Sequence, residues 1–334
     1  MVAFGMQFLR RLFASPRLDW AQIEVTTRCN ACCVYCPRTT ARAAWRDADM
    51  DIALFRQLVP QLATPYVHLQ GWGEPLLHPH LPDMAREAAA AGMQVGTTSN
   101  GVLLDAAMAE TLVAAGLDVI ALSLAGVGGH HDALRPGAPF ARVMAALEAL
   151  AAAKAAARCA RPEVHIAYLL LRSDTADLET LPAHLAGRGV AQVVVSSLDY
   201  VPVPELADEA LLPMAAADIE AFRARIGRVA QALQQAGIGL HCRPPSPARR
   251  AVCPENPKAS LVVDAQGDVS PCVFTALPIA PPHPAAGSRL AFGNVGQTRL
   301  ARIWRNPRYA AFRNSFGKAL PPGPCTPCRK PFVE

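Results

Sequence analysis

Charge and aromatic rings are scarce in this 334-residue chain: Asp, Glu, Lys and Arg make up 18% of it, and Phe, Trp and Tyr 6%. So little charge beside 51% apolar residues excludes intrinsic disorder, because disordered segments have too little apolar surface to bury. No run reaches the roughly 18 uninterrupted apolar residues of a membrane span, so no transmembrane segment is expected. The net charge of +5 is mild and spread along the chain, which makes no case for nucleic acid. Residues 1–14 carry Arg10 and Arg11 among apolar residues with no long hydrophobic run after them, unlike a secretory signal. They predict a short amphipathic basic segment, within residues 1–20, that caps the fold, with contact to a membrane surface as the alternative. A disulfide framework is excluded too. Ten cysteines are too dilute in a chain this long, and seven of them fall into metal-type groupings, which implies a reducing, cytoplasmic setting.

What is present is concentrated in cysteine. Cys29, Cys33 and Cys36 stand in Glu24-Val-Thr-Thr-Arg-Cys-Asn-Ala-Cys-Cys-Val-Tyr-Cys-Pro37, just after a strand-like segment. Thiolates at CxxxCxxC spacing can hold three corners of a cubane iron–sulfur cluster and leave one iron open, whereas such clusters normally take four cysteines. Structural zinc instead favours CxxC pairs closed by a second pair or by His, and none lies near this loop. Cys32 is out of phase with the other three and is expected to be a packed small residue.

At this length the chain makes one large or two unequal domains. Strand-like segments at 22–27, 66–70, 93–98, 118–124, 163–171 and 191–197 alternate with helix-like ones at 51–62, 82–91, 105–115, 140–157 and 175–187. Six β/α repeats imply a parallel sheet with right-handed crossovers, and pattern alone admits either a barrel or an open doubly wound sheet. Three of the strand ends carry short motifs: Gln70-Gly-Trp-Gly-Glu-Pro75, Thr97-Thr-Ser-Asn-Gly101 and Ala121-Leu-Ser-Leu-Ala-Gly126, with Arg135 following the last.

The three-cysteine loop together with these motifs resembles the radical S-adenosylmethionine (radical SAM) superfamily. The resemblance implies a partial (β/α)6 barrel with ligands at the carboxyl ends of the strands. It further implies a 4Fe–4S cluster whose open iron chelates SAM and cleaves it to a 5′-deoxyadenosyl radical. Tyr35 matches the aromatic residue that the family places beside the adenine. Gly73, Glu74 and Pro75 match the GGEP motif that receives the methionyl ammonium, with Trp72 where the family has a first glycine. Ser99 and Asn100 match an element near SAM. Ser123 would face the methionyl carboxylate or the ribose, Ala125 stands where Asp is common, and Arg135 matches an arginine that pairs the SAM carboxylate.

Beyond Gly237 the β/α rhythm stops. Residues 241–257 are proline-rich, and 260–274 read as a hairpin around Asp264-Ala-Gln-Gly-Asp268. Cys253 precedes the first arm, Cys272 closes the second, and Cys325 and Cys328 form a CxxC near the end. Four such cysteines suit either a zinc ribbon or a fully ligated second cluster. The region resembles the SPASM/Twitch auxiliary-cluster domains that follow many radical SAM barrels, which implies an auxiliary 4Fe–4S cluster on these four cysteines. The expected organisation is an amino-terminal segment over 1–20, a barrel over 21–215, a linking helix over 216–240 and an α+β auxiliary domain over 241–334. Cys159 and Cys242 have no partners in the pattern.

Hydrogen abstraction from a small polar substrate is the activity this resemblance implies, with an auxiliary cluster positioned to take the second electron of a dehydrogenation. Asp199 is a candidate base, and Tyr168, Ser196 and Ser197 are candidate pocket residues. A peptide substrate is less expected, since only 28 residues precede Cys29. Peptide modification, epimerisation and bond formation stay open, as does a non-catalytic electron-transfer protein. A one-electron donor such as flavodoxin or ferredoxin is implied.

Overall fold

One sheet runs through the whole molecule. The computed structural model describes residues 15–283, 287, 289–317 and 323–333, so the amphipathic segment expected at the amino terminus lies almost entirely outside the described residues. The strands are β1 (Trp20–Ile23), β2 (Tyr66–Leu69), β3 (Gln94–Ser99), β4 (Val119–Leu124), β5 (Glu163–Leu170), β6 (Val190–Ser197), β7 (Gly239–Cys242), β8 (Ser260–Val263) and β9 (Val269–Ser270). They lie in the order β7-β6-β5-β4-β3-β2-β1-β8-β9, and all neighbours are parallel except β8 and β9.

Alternation of side chains divides this sheet into two faces. Ile23, Val67, Leu69, Val95, Ile120, Leu122, Leu124, Ile166, Val193 and Val195 are buried among the helices. The opposite, inner face is polar: the Tyr66 hydroxyl meets His68 Nδ1 at 2.7 Å, and His68 Nε2 meets Thr98 Oγ1 at 3.0 Å. Helices cover the outer face. The longest in the barrel, Phe140–Ala156, buries Val143, Ala146, Leu147, Leu150 and Ala153, a spacing of three and four that makes one apolar stripe. Asp105 caps the helix Ala106–Ala114 by accepting from the Met108 amide at 2.9 Å.

The six expected strands are all present and in the expected order. The first is displaced, ending at Ile23 rather than Thr27. Beyond it the Thr26 and Thr27 hydroxyls bond the chain at Asp49 and Arg46, at 2.6 and 2.8 Å, and so draw the backbone out of the ladder. Three strands are added, β7 at one end of the sheet and β8 and β9 at the other. β7 is only four residues long, in the stretch between the long helix Ala216–Gln235 and the proline-rich run, too short to show a period. β8, the first arm of the expected hairpin, pairs parallel with β1, Leu261 opposite Ala21 and Val263 opposite Ile23. Tyr168, a candidate pocket residue, instead belongs to the outer, helix-facing set of β5. It is fully buried, and its hydroxyl accepts from the Gly126 amide at 3.1 Å.

Because Leu261 is 0% exposed and shares its core with the barrel, the hairpin unfolds with the barrel rather than separately. Leu261→Ala is expected to lower the global unfolding free energy by about 2–5 kcal/mol, with a single urea transition followed by tryptophan fluorescence. A local loss with an unchanged main transition would contradict the shared core.

Candidate active site

The cysteine loop leaves β1 and closes on the short helix Pro37–Thr40, where the Cys36 carbonyl accepts from Thr39 and Thr40. Cys29, Cys33 and Cys36 are half-buried, and the charges of their thiolates oppose one another. Burial, reinforced by this repulsion, raises the Cys29 thiol and pushes Cys36 up to about 12. Thiolates therefore persist here only against a cation, which is the state in which sulfur ligates metal. The fourth cysteine, Cys32, is exposed rather than packed, because its amide donates to Pro136 O at 2.7 Å and turns the side chain outward. Among the described residues no three His, Cys, Asp or Glu side chains converge as on a single metal ion.

The motif after β2 packs directly on this loop. A Cβ at Gly73 would lie 2.4 Å from Thr26 O and 2.5 Å from Arg28 O, so only glycine lets the two backbones approach. The Glu74 amide then donates to Arg28 O at 2.8 Å, and Pro75 opens a 3₁₀ turn, Pro75–Leu77. The Glu74 carboxylate, 3% exposed, accepts from the Leu76 amide (3.1 Å), the Ser99 hydroxyl (2.8 Å) and the Asn100 amide (2.7 Å). It ties the end of β2 to the end of β3 and keeps about one of its four lone-pair positions for anything else. Asn100 continues toward the loop, donating to Asn30 Oδ1 at 2.7 Å and lying 4.0 Å from Cys29 Sγ.

Arg135 completes the rim. Its guanidinium is buried, donates through Nη1 to the Tyr35 hydroxyl at 2.9 Å, and lies close enough to Cys29, Cys33 and Glu74 to feel their charges. Its Nε is buried without a partner among the described residues. An orphaned guanidinium N–H beside three thiols is the donor that a carboxylate would satisfy, so these residues fit a cluster-bound amino acid group. Ser123 is half-buried on the inner-face register of β4, opposite Ala167. At Ala125 the chain lacks the familiar Asp, yet the turn receives a carboxylate from elsewhere. Asp177 Oδ2 accepts from the Val127 amide at 3.1 Å and meets His130 Nδ1 at 2.7 Å. No local motif signals Asp177, because it comes from a helix fifty residues further on.

The second group also assembles. Cys253, Cys272, Cys325 and Cys328 line one cavity together with Phe274, Phe316 and Lys330. Burial pushes Cys253 and Cys325 up to about 12 and Cys328 to about 11, with neighbouring thiolate charge adding to each, and burial together with the Glu255 carboxylate raises Cys272. Arg249 clamps the CxxC turn by donating to Thr326 O at 2.6 Å and Cys328 O at 3.3 Å. Lys330, unnoticed in the sequence, is largely buried between Asp199 at 3.3 Å and Glu255 at 2.5 Å. Asp199 also accepts from the Ser197 hydroxyl at 2.8 Å. Asp199, Glu255 and Lys330 line a further cavity of about 200 Å³, into which Ser196, Ser197 and His241 also face. Glu255 and Lys330 thus stand in the wall common to that cavity and the four-cysteine one.

Trp72 and Glu24 join the two groups. Trp72 Nε1 donates to Val273 O at 3.0 Å and its ring lies 5.8 Å from that of Phe274. Its amide donates to Glu24 Oε1 at 2.8 Å. Substitution of the motif's first glycine by Trp therefore docks the segment after Cys272 onto the barrel rim. Glu24 is fully buried, and a Cβ at Gly71 would lie 2.1 Å from its Cγ. Burial, with the Asp264 carboxylate adding to it, raises its pKa from the usual 4.5 to about 8. The folded state therefore holds a proton that the unfolded chain has lost, and stability falls as pH rises from about 4.5 to about 8. Glu24→Gln should flatten that fall and stabilise the protein at pH 8. Urea midpoints measured across this range check it, and an undiminished slope in the variant would contradict it.

Comparison with known proteins agrees with this geometry. The model of the radical SAM superfamily matches residues 23–177, and that of the SPASM iron–sulfur cluster-binding domain matches residues 253–329. The tungsten-containing aldehyde ferredoxin oxidoreductase cofactor-modifying protein of Pyrococcus furiosus is 26% identical over 326 residues, covering 93% of this chain and 87% of that one. The PqqA peptide cyclase of Xanthomonas euvesicatoria is 28% identical over 333 residues, covering 93% and 80%. In fold, the chain is similar to Streptococcus suis SuiB bound to S-adenosylmethionine, with a TM-score of 0.67 at 13% identity over 90% of this chain and 68% of that one. It is likewise similar to anSMEcpe with bound AdoMet, with a TM-score of 0.66 at 15% identity over 90% and 84%. No helix among the described residues is long and apolar enough to cross a membrane. Residues 23–177 are a radical SAM domain and residues 253–329 a SPASM iron–sulfur cluster-binding domain, which makes this chain a radical SAM enzyme and implies a 4Fe–4S cluster, S-adenosylmethionine and auxiliary clusters as its cofactors.

Proposed function

We propose that this enzyme oxidises its substrate by two electrons, beginning with hydrogen abstraction from carbon. When bound, SAM and its cluster supply the deoxyadenosyl radical, and an auxiliary cluster supplies an acceptor for the electron that the substrate radical gives up. Cys29, Cys33 and Cys36 would hold the first cluster, and Cys253, Cys272, Cys325 and Cys328 the second. Tyr35 would lie along the adenine. Gly73, Glu74 and Pro75 shape the seat of the methionyl ammonium, Ser99 and Asn100 brace it, Ser123 lines it, and Arg135 takes the carboxylate. Glu74 acts chiefly by position here, since most of its acceptor capacity already ties β2 to β3.

One observation carries the oxidative reading. The cavity that reaches Asp199 shares the Lys330–Glu255 wall with the four-cysteine cavity. A substrate there would lie against the electron acceptor and beside a carboxylate that can receive the proton lost with the second electron. About 200 Å³ suits a small polar molecule or one side chain of a peptide. A peptide substrate is the second reading, favoured by the PqqA peptide cyclase relative and by β7, the free edge of the sheet next to this cavity, where an extended chain can add as a strand.

Two tests follow from this assignment. Replacing Cys29, Cys33 and Cys36 by Ala should remove about four irons per chain and all SAM cleavage, whereas Cys272→Ala with Cys328→Ala should lower iron and leave deoxyadenosine formation intact. Retained SAM cleavage in the first variant would sink the ligand assignment. Once a substrate is in hand, deoxyadenosine and product should form one to one, and the product should weigh two hydrogens less. A product isomeric with its substrate would rule out the oxidation.

A further inference from the structure

The turn after the third cysteine of the first group hides a second cation. Arg38, in the short helix Pro37–Thr40, is 5% exposed. A buried arginine normally gives its N–H donors to carboxylates or carbonyls. The Nε of Arg38 is instead buried without a partner among the described residues. The one carboxylate it pairs with there, the half-exposed Asp47, lies 3.8 Å from Nη2, which is too long for a hydrogen bond. An ion pair so open to water contributes little, and a buried donor left unpaired works against folding.

The surroundings put that charge at the cysteine group. The Arg38 and Thr39 amides donate toward the Cys36 sulfur, partly offsetting the burial that pushes this thiol up. The Arg38 guanidinium reaches the other end of the group, where it favours the Cys29 thiolate against the burial that raises that thiol. Residues from the carboxyl-terminal part cover the turn: Ala41 packs with Leu277 and Ile279, and the Arg46 amide donates to Pro278 O at 2.9 Å. A guanidinium kept from water in this way acts on its neighbours with little screening. Arg135, the other buried cation here, has a different place. It donates to Tyr35 and its charge reaches Glu74, on the side proposed for the SAM carboxylate.

We infer that Arg38 is the buried counter-cation of the cluster on Cys29, Cys33 and Cys36, and that its fixed charge and unpaired N–H group raise that cluster's reduction potential above what a neutral side chain would give. The inference rests on these cysteines holding a cluster and asks nothing of the substrate. Three thiolates make such a site anionic, and each added electron makes it more so. A cation of fixed charge therefore favours the reduced state over the oxidised one, and N–H donors toward sulfur act in the same sense. In the step itself the cluster gains one electron and an external one-electron donor loses it. No bond is made or broken, and arginine keeps its proton throughout.

The test is a reductive titration of the reconstituted holoenzyme followed by EPR, in which the first cluster is the signal that changes when SAM is added. Arg38→Met keeps an unbranched apolar stem and removes the charge. In this variant the ratio of reduced to oxidised first cluster at a fixed potential should fall about tenfold, a shift of about 59 mV to more negative values. Iron content and the dissociation constant for SAM should stay as in the wild type. Arg38→Lys keeps the charge without the planar N–H fork and should lie between the two. An unshifted potential in Arg38→Met overturns the inference. So does a large loss of SAM affinity at unchanged potential, which would make Arg38 a SAM ligand. If Arg38→Met assembles no first cluster, Arg38→Lys decides: iron restored by lysine supports a counter-cation, and equal loss in both marks a packing role and overturns it. Full iron content after replacement of Cys29, Cys33 and Cys36 by Ala would instead refute the cluster assignment itself, independently of any potential.

Discussion

The parallel ladder between β1 and β8 is the contact on which the remainder depends. It takes a strand from each end of the sequence, Trp20–Ile23 and Ser260–Val263, and makes them neighbours in one sheet. β1 delivers the three-cysteine loop, and β8 begins the hairpin that ends at Cys272. Pairing the two strands therefore sets the distance between both cysteine groups through backbone hydrogen bonds, which are far less compliant than a linker between domains would be. Trp72 and Glu24 reinforce the joint from the barrel side, with Val273 and Ala265 as their partners.

Electrostatics inside that frame are those of sites waiting for positive charge. Seven thiols are held half-buried in two groups where each thiolate repels the next, and six of the seven are raised by burial. Near the first group, Arg135 keeps one donor unsatisfied, an arrangement that costs about 1–3 kcal/mol until an acceptor arrives. Near the second, the Asp199–Lys330–Glu255 chain separates two cavities with a compensated set of charges, and breaking one member would leave an uncompensated ion in a confined space. Both features are the kind that a functional site retains at the expense of folding stability.

That these residues meet around the cysteine loop was legible in the sequence because each sits at a fixed offset from a strand end. Cys29, Cys33, Cys36, Tyr35, Glu74, Ser99, Asn100 and Arg135 come together through local turns, and local turns leave local signatures. Charge partners left none. Asp177 fills the turn after β4 from a different helix, and Lys330 meets Asp199 across 131 positions of chain, so no spacing rule links them. Tyr168 shows the opposite failure: its polarity suggested a pocket, but strand parity sends it to the helix side, and parity is certain only once the register of β5 against β4 is known.

By itself the sequence determined the succession of strands and helices along the chain and the grouping of the cysteines, since these follow from short-range periodicity and spacing. Only the tertiary structure decided that β7 and β8 extend the same sheet, that Trp72 docks the second cysteine segment onto the first motif, and that Lys330 bridges Asp199 and Glu255. Those outcomes depend on contacts between residues distant in the chain, where hydrophobic burial and hydrogen-bond registry, rather than any local preference, choose the partner.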